Sequence, residues 1–142
     1  MEFTPGLAVS RRLHDEVVAP ALRGRRYAAG RVDTGSDVLG FDTARSTDHD
    51  WGPRLQVFVG DRHEVPAVRA AVEAALPATF HGIPTTPAVP GQVLGVTVDA
   101  LDDYLAASLA MPDARHPTTS DWLALPTQRL AEFTAGAVFR DD

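Results

Sequence analysis

Residues 7 to 23 place Leu7, Val9, Leu13, Val17 and Leu22 near helical spacing with charged side chains between them, which predicts a surface helix ending near Pro20 or shortly after. Tyr27 to Val32 is short and apolar and predicts a first strand that runs straight into Thr34-Gly35-Ser36. From Asp48 to Val59 the pattern is extended. Leu55, Val57 and Val59 alternate with Gln56 and Phe58, and Gly52-Pro53 imposes a bulge or break. Val65, Val68, Val72 and Leu76 share one face of a helix that Pro77 stops and that would cover the sheet. Residues 78–92 are rich in Pro, Thr and Gly, with Phe80 to Ile83 a short strand inside a loop. Val93 to Val98 predicts a further strand. Leu101, Leu105 and Leu109 predict a helix over Asp99 to Ala110, whose Asp99, Asp102 and Asp103 suit its positive end. Ser120-Asp121 suits the cap of a short turn containing Trp122, and Pro126 opens a last helix carrying Leu130, Phe133, Ala137 and Val138. This order predicts an α/β or α+β domain in which one small mixed sheet is covered by helices.

Composition narrows the chemistry. A length of 142 residues suits one domain. With no cysteine there is no disulfide framework, thiolate metal site or cysteine nucleophile. All 13 basic residues are arginines, so a catalytic lysine or a Walker lysine is excluded; this usage, with abundant alanine, fits a GC-rich bacterial genome. A net charge of −6 argues against long contact with a polynucleotide backbone, whose affinity comes from many neutralised phosphates. No unbroken run of about 18 apolar residues is present, so no membrane partner is expected and a cytoplasmic location is the default. The histidines at 14, 49, 63, 81 and 116 lack metal-ligand spacing, and no serine sits in a nucleophile-elbow motif.

The candidate chemistry lies in Gly35-Ser36-Asp37-Val38-Leu39-Gly40 and the following Ser46-Thr47-Asp48-His49-Asp50-Trp51-Gly52-Pro53. A Gly-Ser turn at a strand end can bring backbone amides close to a phosphate. Asp48 and Asp50, at alternate positions of an extended segment, would point the same way about 6 to 7 Å apart and share a divalent cation. The same composition is also common in polar turns. His49, between the two aspartates, suits a supporting hydrogen bond. Arg45 and Arg54 flank the carboxylates and can meet phosphate oxygens, or serve as counter-ions or solvated charges. Asp99 is the candidate third carboxylate, facing the same side as Thr97 if the strand continues; its competing role is a helix start. Trp51 and Trp122 are most simply packing residues.

Gly35-Ser36, Gly40 and the Ser-Thr-Asp-His-Asp run resemble the signature of the nucleotidyltransferase fold, the superfamily of DNA polymerase β and the minimal nucleotidyltransferases, with one residue inserted between serine and the first aspartate. The wording Gly40-Phe41-Asp42-Thr43 with Arg45 to Arg54, and the endings Asp121-Trp122-Leu123 and Thr134 to Phe139, are similar to an uncharacterised bacterial nucleotidyltransferase-like family. The resemblance implies a nucleotidyltransferase-like domain over 1–142, without the helical C-terminal domain of that family. It implies Asp48 and Asp50 as ligands of Mg²⁺ or Mn²⁺, with Asp99 completing the catalytic set. Gly35, Ser36, Arg45 and Arg54 would bind a nucleoside triphosphate. The implied reaction moves a nucleoside monophosphate to a hydroxyl of a small molecule or protein. The alternatives are a nucleotide-binding or regulatory module that has lost catalysis, and a protein whose apolar surface is covered by self-association or another chain.

Overall fold

The computed structural model describes residues 3–45, 51–87, 90 and 94–142. Four strands form a mixed sheet in the order β5-β2-β1-β6. They are β1 (Ala28–Arg31), β2 (Arg54–Val59), β5 (Gly95–Ala100) and β6 (Ala137–Asp141). β1 runs antiparallel to β2 and to β6, whereas β2 and β5 are parallel, with Arg54 opposite Gly95 and Phe58 opposite Asp99. The Pro-rich stretch contains a two-stranded hairpin, β3 (Thr79–Phe80) and β4 (Ile83–Pro84). Its two-residue turn, His81-Gly82, has positive φ at both positions, the geometry that matches the twist of a tight hairpin.

One sheet face carries the core. The N-terminal helical segment runs as α1 (Gly6–Leu13), a π-helical stretch (His14–Val18) and α2 (Ala19–Ala21). Pro20 has no N–H for the carbonyl four residues back, and the wide turn lies immediately before it. This segment and α3 (Val65–Ala75) lay Leu13, Val18, Leu22, Val68 and Val72 on Ala29, Leu55, Val57, Val59 and Val98, all buried. Each valine or leucine among them stabilises the fold by roughly 1.5–3 kcal/mol. The opposite face receives α4 (Leu101–Leu109) and α6 (Thr127–Thr134), where Phe58, Tyr104 and Phe133 stack in a tilted series with centroids 4.7 and 5.7 Å apart. Strand β2, covered on both faces, is the axis of the domain.

Four expectations are corrected. The last helix stops at Thr134, and Ala137 and Val138 lie in β6. A Cβ on Gly136 would sit 2.2 Å from the Arg31 carbonyl oxygen, so only glycine lets the chain turn tightly against β1 and complete its outer edge. Asp99 belongs to β5 and not to the helix, which begins at Leu101 after an extended Ala100. The cap of α5 (Thr119–Ala124) is Thr118, which accepts from the Asp121 N–H while Asp121 accepts from the Thr118 N–H, a full capping box. Trp51-Gly52-Pro53 is not strand, and β2 starts at Arg54. Among the described residues no helix is long and apolar enough to cross a membrane.

Candidate functional site

Strand β1 ends in an arginine that faces the core side of the sheet, the side shared by Ala29 and Tyr27 two and four positions earlier in the chain. Arg31 is 1% exposed, and every direction of its guanidinium is used. Nε donates to Asp37 Oδ2 at 2.8 Å and Nη2 to Asp37 Oδ1 at 2.9 Å, a two-pronged fork. The remaining donors reach the carbonyls of Val32, at 2.6 Å, and Thr34, at 2.7 Å. Burying such a pair is tolerable only when the other hydrogen bonds are made as well, and here they are.

Asp37, 4% exposed, also accepts from Arg54 Nη2 at 3.0 Å. One carboxylate therefore joins the end of β1 to the start of β2 across the intervening turn. The turn is closed by its own backbone: the Phe41 N–H donates to Ser36 O at 2.8 Å. Gly35 has φ +145°, and a Cβ there would lie 2.3 Å from Asp37 Oδ1 and 2.4 Å from Arg31 Nη2. The glycine is thus required by the ion pairs packed beneath it.

Beside this cluster lies a cavity of about 230 Å³ bounded by Thr34, Gly35, Ser36, Asp37, Trp51, Gly52 and Arg54. The Trp51 Nε1–H is buried with no hydrogen-bond partner among the described residues, and a donor left unmet in this way costs about 1–3 kcal/mol. A second cavity, of about 170 Å³, adjoins it across Thr34 and Arg54 and is lined further by Asp33, Gln56 and Thr97. Gln56 fixes the strand end between them, accepting from the Val32 N–H and donating to the Val32 carbonyl.

Asp33 stands at the junction with the other sheet face. It has φ +76°. Its backbone N–H donates to the Glu132 carbonyl at 3.2 Å, Tyr104 Oη donates to its Oδ2 at 3.0 Å, and Arg129 Nη1 pairs with its Oδ1. Burial works to raise the pKa of Asp33, but the bonds from Arg129 and Tyr104 outweigh it and hold the carboxyl below its ordinary value. Burial, the Asp33 charge and its hydrogen bond push the Tyr104 hydroxyl well up. Both groups keep their ordinary charge states at neutral pH.

Of the residues singled out from the sequence, Gly35, Ser36 and Arg54 come together around one cavity. Arg45 is exposed and lines neither cavity. Asp99 shares the Arg54 side of the sheet, but four register positions along β5, or about 13 Å at about 3.3 Å per residue. Asp48, His49 and Asp50 lie outside the described residues. Among those described, no group of three or more His, Cys, Asp or Glu side chains is placed to hold a metal ion.

Arg31, Asp37 and Asp33 were not singled out. An arginine at a core-facing strand position signals a buried partner, and Asp33 and Asp37 are the two carboxylates that follow it within six residues. The partners of Asp33 come from 71 and 96 residues away, beyond any local pattern. Comparison of the chain with protein-family models, with curated proteins and with solved structures finds no match.

Proposed function

We propose that this chain is a divalent-metal-dependent nucleotidyltransferase, using Mg²⁺ or Mn²⁺, that moves a nucleoside monophosphate from a nucleoside triphosphate to a hydroxyl of a small molecule or protein. The observation that carries the reading is the 230 Å³ cavity where the Gly35-Ser36 turn, at the end of β1, meets Arg54, at the start of β2. Backbone amides of a glycine turn and an oriented guanidinium are complementary to phosphate oxygens. The Trp51 donor in the same wall, unmet among the described residues, suits an acceptor-rich ligand.

In this reading Gly35 and Ser36 hold the phosphate chain, and Arg54 donates to it from a guanidinium that Asp37 keeps in place. Asp48 and Asp50, which precede Arg54 by six and four residues, would hold the divalent ion, whose contribution when bound is neutralisation of triphosphate charge. The acceptor oxygen forms its bond to the α-phosphorus as the bond to the bridging oxygen breaks. Pyrophosphate leaves with that electron pair, and the acceptor proton passes to solvent or a nearby base.

Calorimetric titration with Mg-ATP and Mg-GTP, followed by assay of pyrophosphate release, tests the proposal. Binding that requires the divalent ion, and loss of release in Asp48→Ala and in Asp50→Ala, is the expected outcome. Release that survives in both variants overturns it. The position of Asp99, about 13 Å along the sheet from Arg54, favours a second reading, a nucleotide-binding module without catalysis. Tight binding with no release across candidate acceptors would select that reading.

A further inference from the structure

Asp33 is an aspartate in a backbone conformation that L side chains seldom adopt, at the residue where β1 hands over to the Gly-Ser turn. Such conformations persist only where surroundings over-determine them, and they concentrate where a site needs a fixed geometry. Here the surroundings are unusually complete. Glu132 and Arg129 of α6 take the backbone N–H and Oδ1, and Tyr104 of α4 donates to Oδ2. The Thr34 N–H donates back to Oδ1 at 2.8 Å. Arg129 is itself anchored, with Nε donating to the Ser108 carbonyl at 2.8 Å and its guanidinium lying 5.4 Å from the Phe133 ring centroid.

The consequence is geometric. Asp37 and Arg31 fix the turn from the core side, where Arg31 also holds the Thr34 carbonyl, and the kink at Asp33 ties the same residue to the far face of the sheet. The left-handed kink at Asp33 turns the chain so that Thr34 borders both cavities and Gly35 and Ser36 border the larger one. Two helices on the far face of the sheet hold that kink.

We infer that Asp33 is a positioning residue for the phosphate-binding turn, acting through Tyr104 and Arg129 to set the direction in which Gly35 and Ser36 present their donors. This role rests on the nucleotide-binding reading above. Asp33 touches no reacting atom. Its effect falls on the part of the ligand that the turn holds, the phosphate chain, and is independent of the base.

Two substitutions separate positioning from stability. Asp33→Gly adopts positive φ without strain but removes every side-chain tether. Asp33→Asn also tolerates positive φ, keeps an oxygen acceptor for Arg129 and the Thr34 N–H, and turns its amide NH2 to the Tyr104 hydroxyl, which can accept. The probes are Mg-ATP, Mg-GTP and Mg-tripolyphosphate, titrated into the full chain well below its unfolding temperature. Thr118→Ala, which removes the capping box of α5, serves as a destabilised control and leaves affinity unchanged.

The expected result is a loss of at least tenfold in affinity for all three probes with Asp33→Gly, equal within about twofold among them, and recovery of most of it in Asp33→Asn. Three results overturn the inference. One is Asp33→Gly binding as tightly as the wild type, which leaves nucleotide binding itself intact. Another is a loss confined to the nucleotides and absent for tripolyphosphate. Wild-type protein that binds none of the probes removes the nucleotide reading and this inference with it.

Discussion

Two carboxylates four residues apart bracket the start of the Gly-Ser turn, and they are held in opposite ways. Asp37 is sealed in the core, and its partners Arg31 and Arg54 belong to the strands the turn connects. Asp33 is partly exposed, its backbone is kinked, and its side-chain partners sit on α4 and α6 across the sheet. The first is a closed local unit whose energy is tied to burial. The second is a long-range tie whose energy is screened by solvent but whose geometry decides where the turn points. Stability and direction of one short turn are thus assigned to different residues, so a substitution at each should disturb a different observable.

The largest effect belongs to Asp37. Asp37→Ala leaves the Arg31 guanidinium buried with carbonyl partners alone, and removal of one member of a buried ion pair costs about 3–5 kcal/mol. Urea denaturation of the variant measures this directly. The double variant Arg31→Met with Asp37→Leu should recover a large part of the loss, because replacing both charges by apolar groups removes the desolvation penalty along with the pair. A single-variant cost below about 1 kcal/mol would place Asp37 in the same class as Asp33 and dissolve the contrast.

Next is Gly35, which stands between the two. Gly35→Ala must place a methyl group against the Asp37 carboxylate and the Arg31 guanidinium at a φ of +145°. Unfavourable backbone of this kind costs roughly 1–3 kcal/mol, and here the neighbours are pinned by their own bonds and cannot withdraw freely. Thermal unfolding should register the loss. Combining Gly35→Ala with Asp37→Ala should be less costly than the sum of the two, since removal of the carboxylate opens the space. Strict additivity would show that the conformation of Gly35 alone, and not its contact with the ion pair, is at issue.

The fold was legible where one local rule governed it. Alternation along Leu55, Val57 and Val59 marked β2, and the Val65, Val68, Val72 spacing marked α3, because each buries one regular face. The end of the chain was read as helix because Phe133, Ala137 and Val138 fit helical spacing. Glycine at 136 and the open edge of β1 drew the last two into a strand, and that edge is visible only once the sheet is assembled. The site divides in the same way. Gly35, Ser36 and Arg54 were legible as residue types suited to phosphate. Arg31 and Asp37 carried a signal in the core-facing position of the arginine. Asp33, Tyr104 and Arg129 carried none, because a tie between residues 33 and 129 exists only through tertiary packing.

The smallest effect is the titration of Asp33, and its sign is fixed by geometry. The folded-state pKa lies below the ordinary aspartate value, because the Arg129 and Tyr104 bonds overcome the burial that works the other way. A group with a depressed folded pKa stabilises the protein above its unfolded pKa of about 3.9 and loses that contribution as pH falls through the folded value. The pair with Arg129 is about one-fifth exposed on each side, at 23% and 22%, so its contribution at neutral pH is about 1 kcal/mol or less. Asp33→Asn should therefore be less stable than the wild type by that amount at pH 7, and the gap should close below about pH 4. Measuring the difference between the two proteins by urea denaturation across this range cancels the other carboxylates. A gap that persists unchanged to low pH would mean that the Asp33 tie is held by shape and neutral hydrogen bonding alone. The charge of Asp33 would then have no part in orienting the turn, and Asp33→Asn would be expected to bind phosphate as tightly as the wild type.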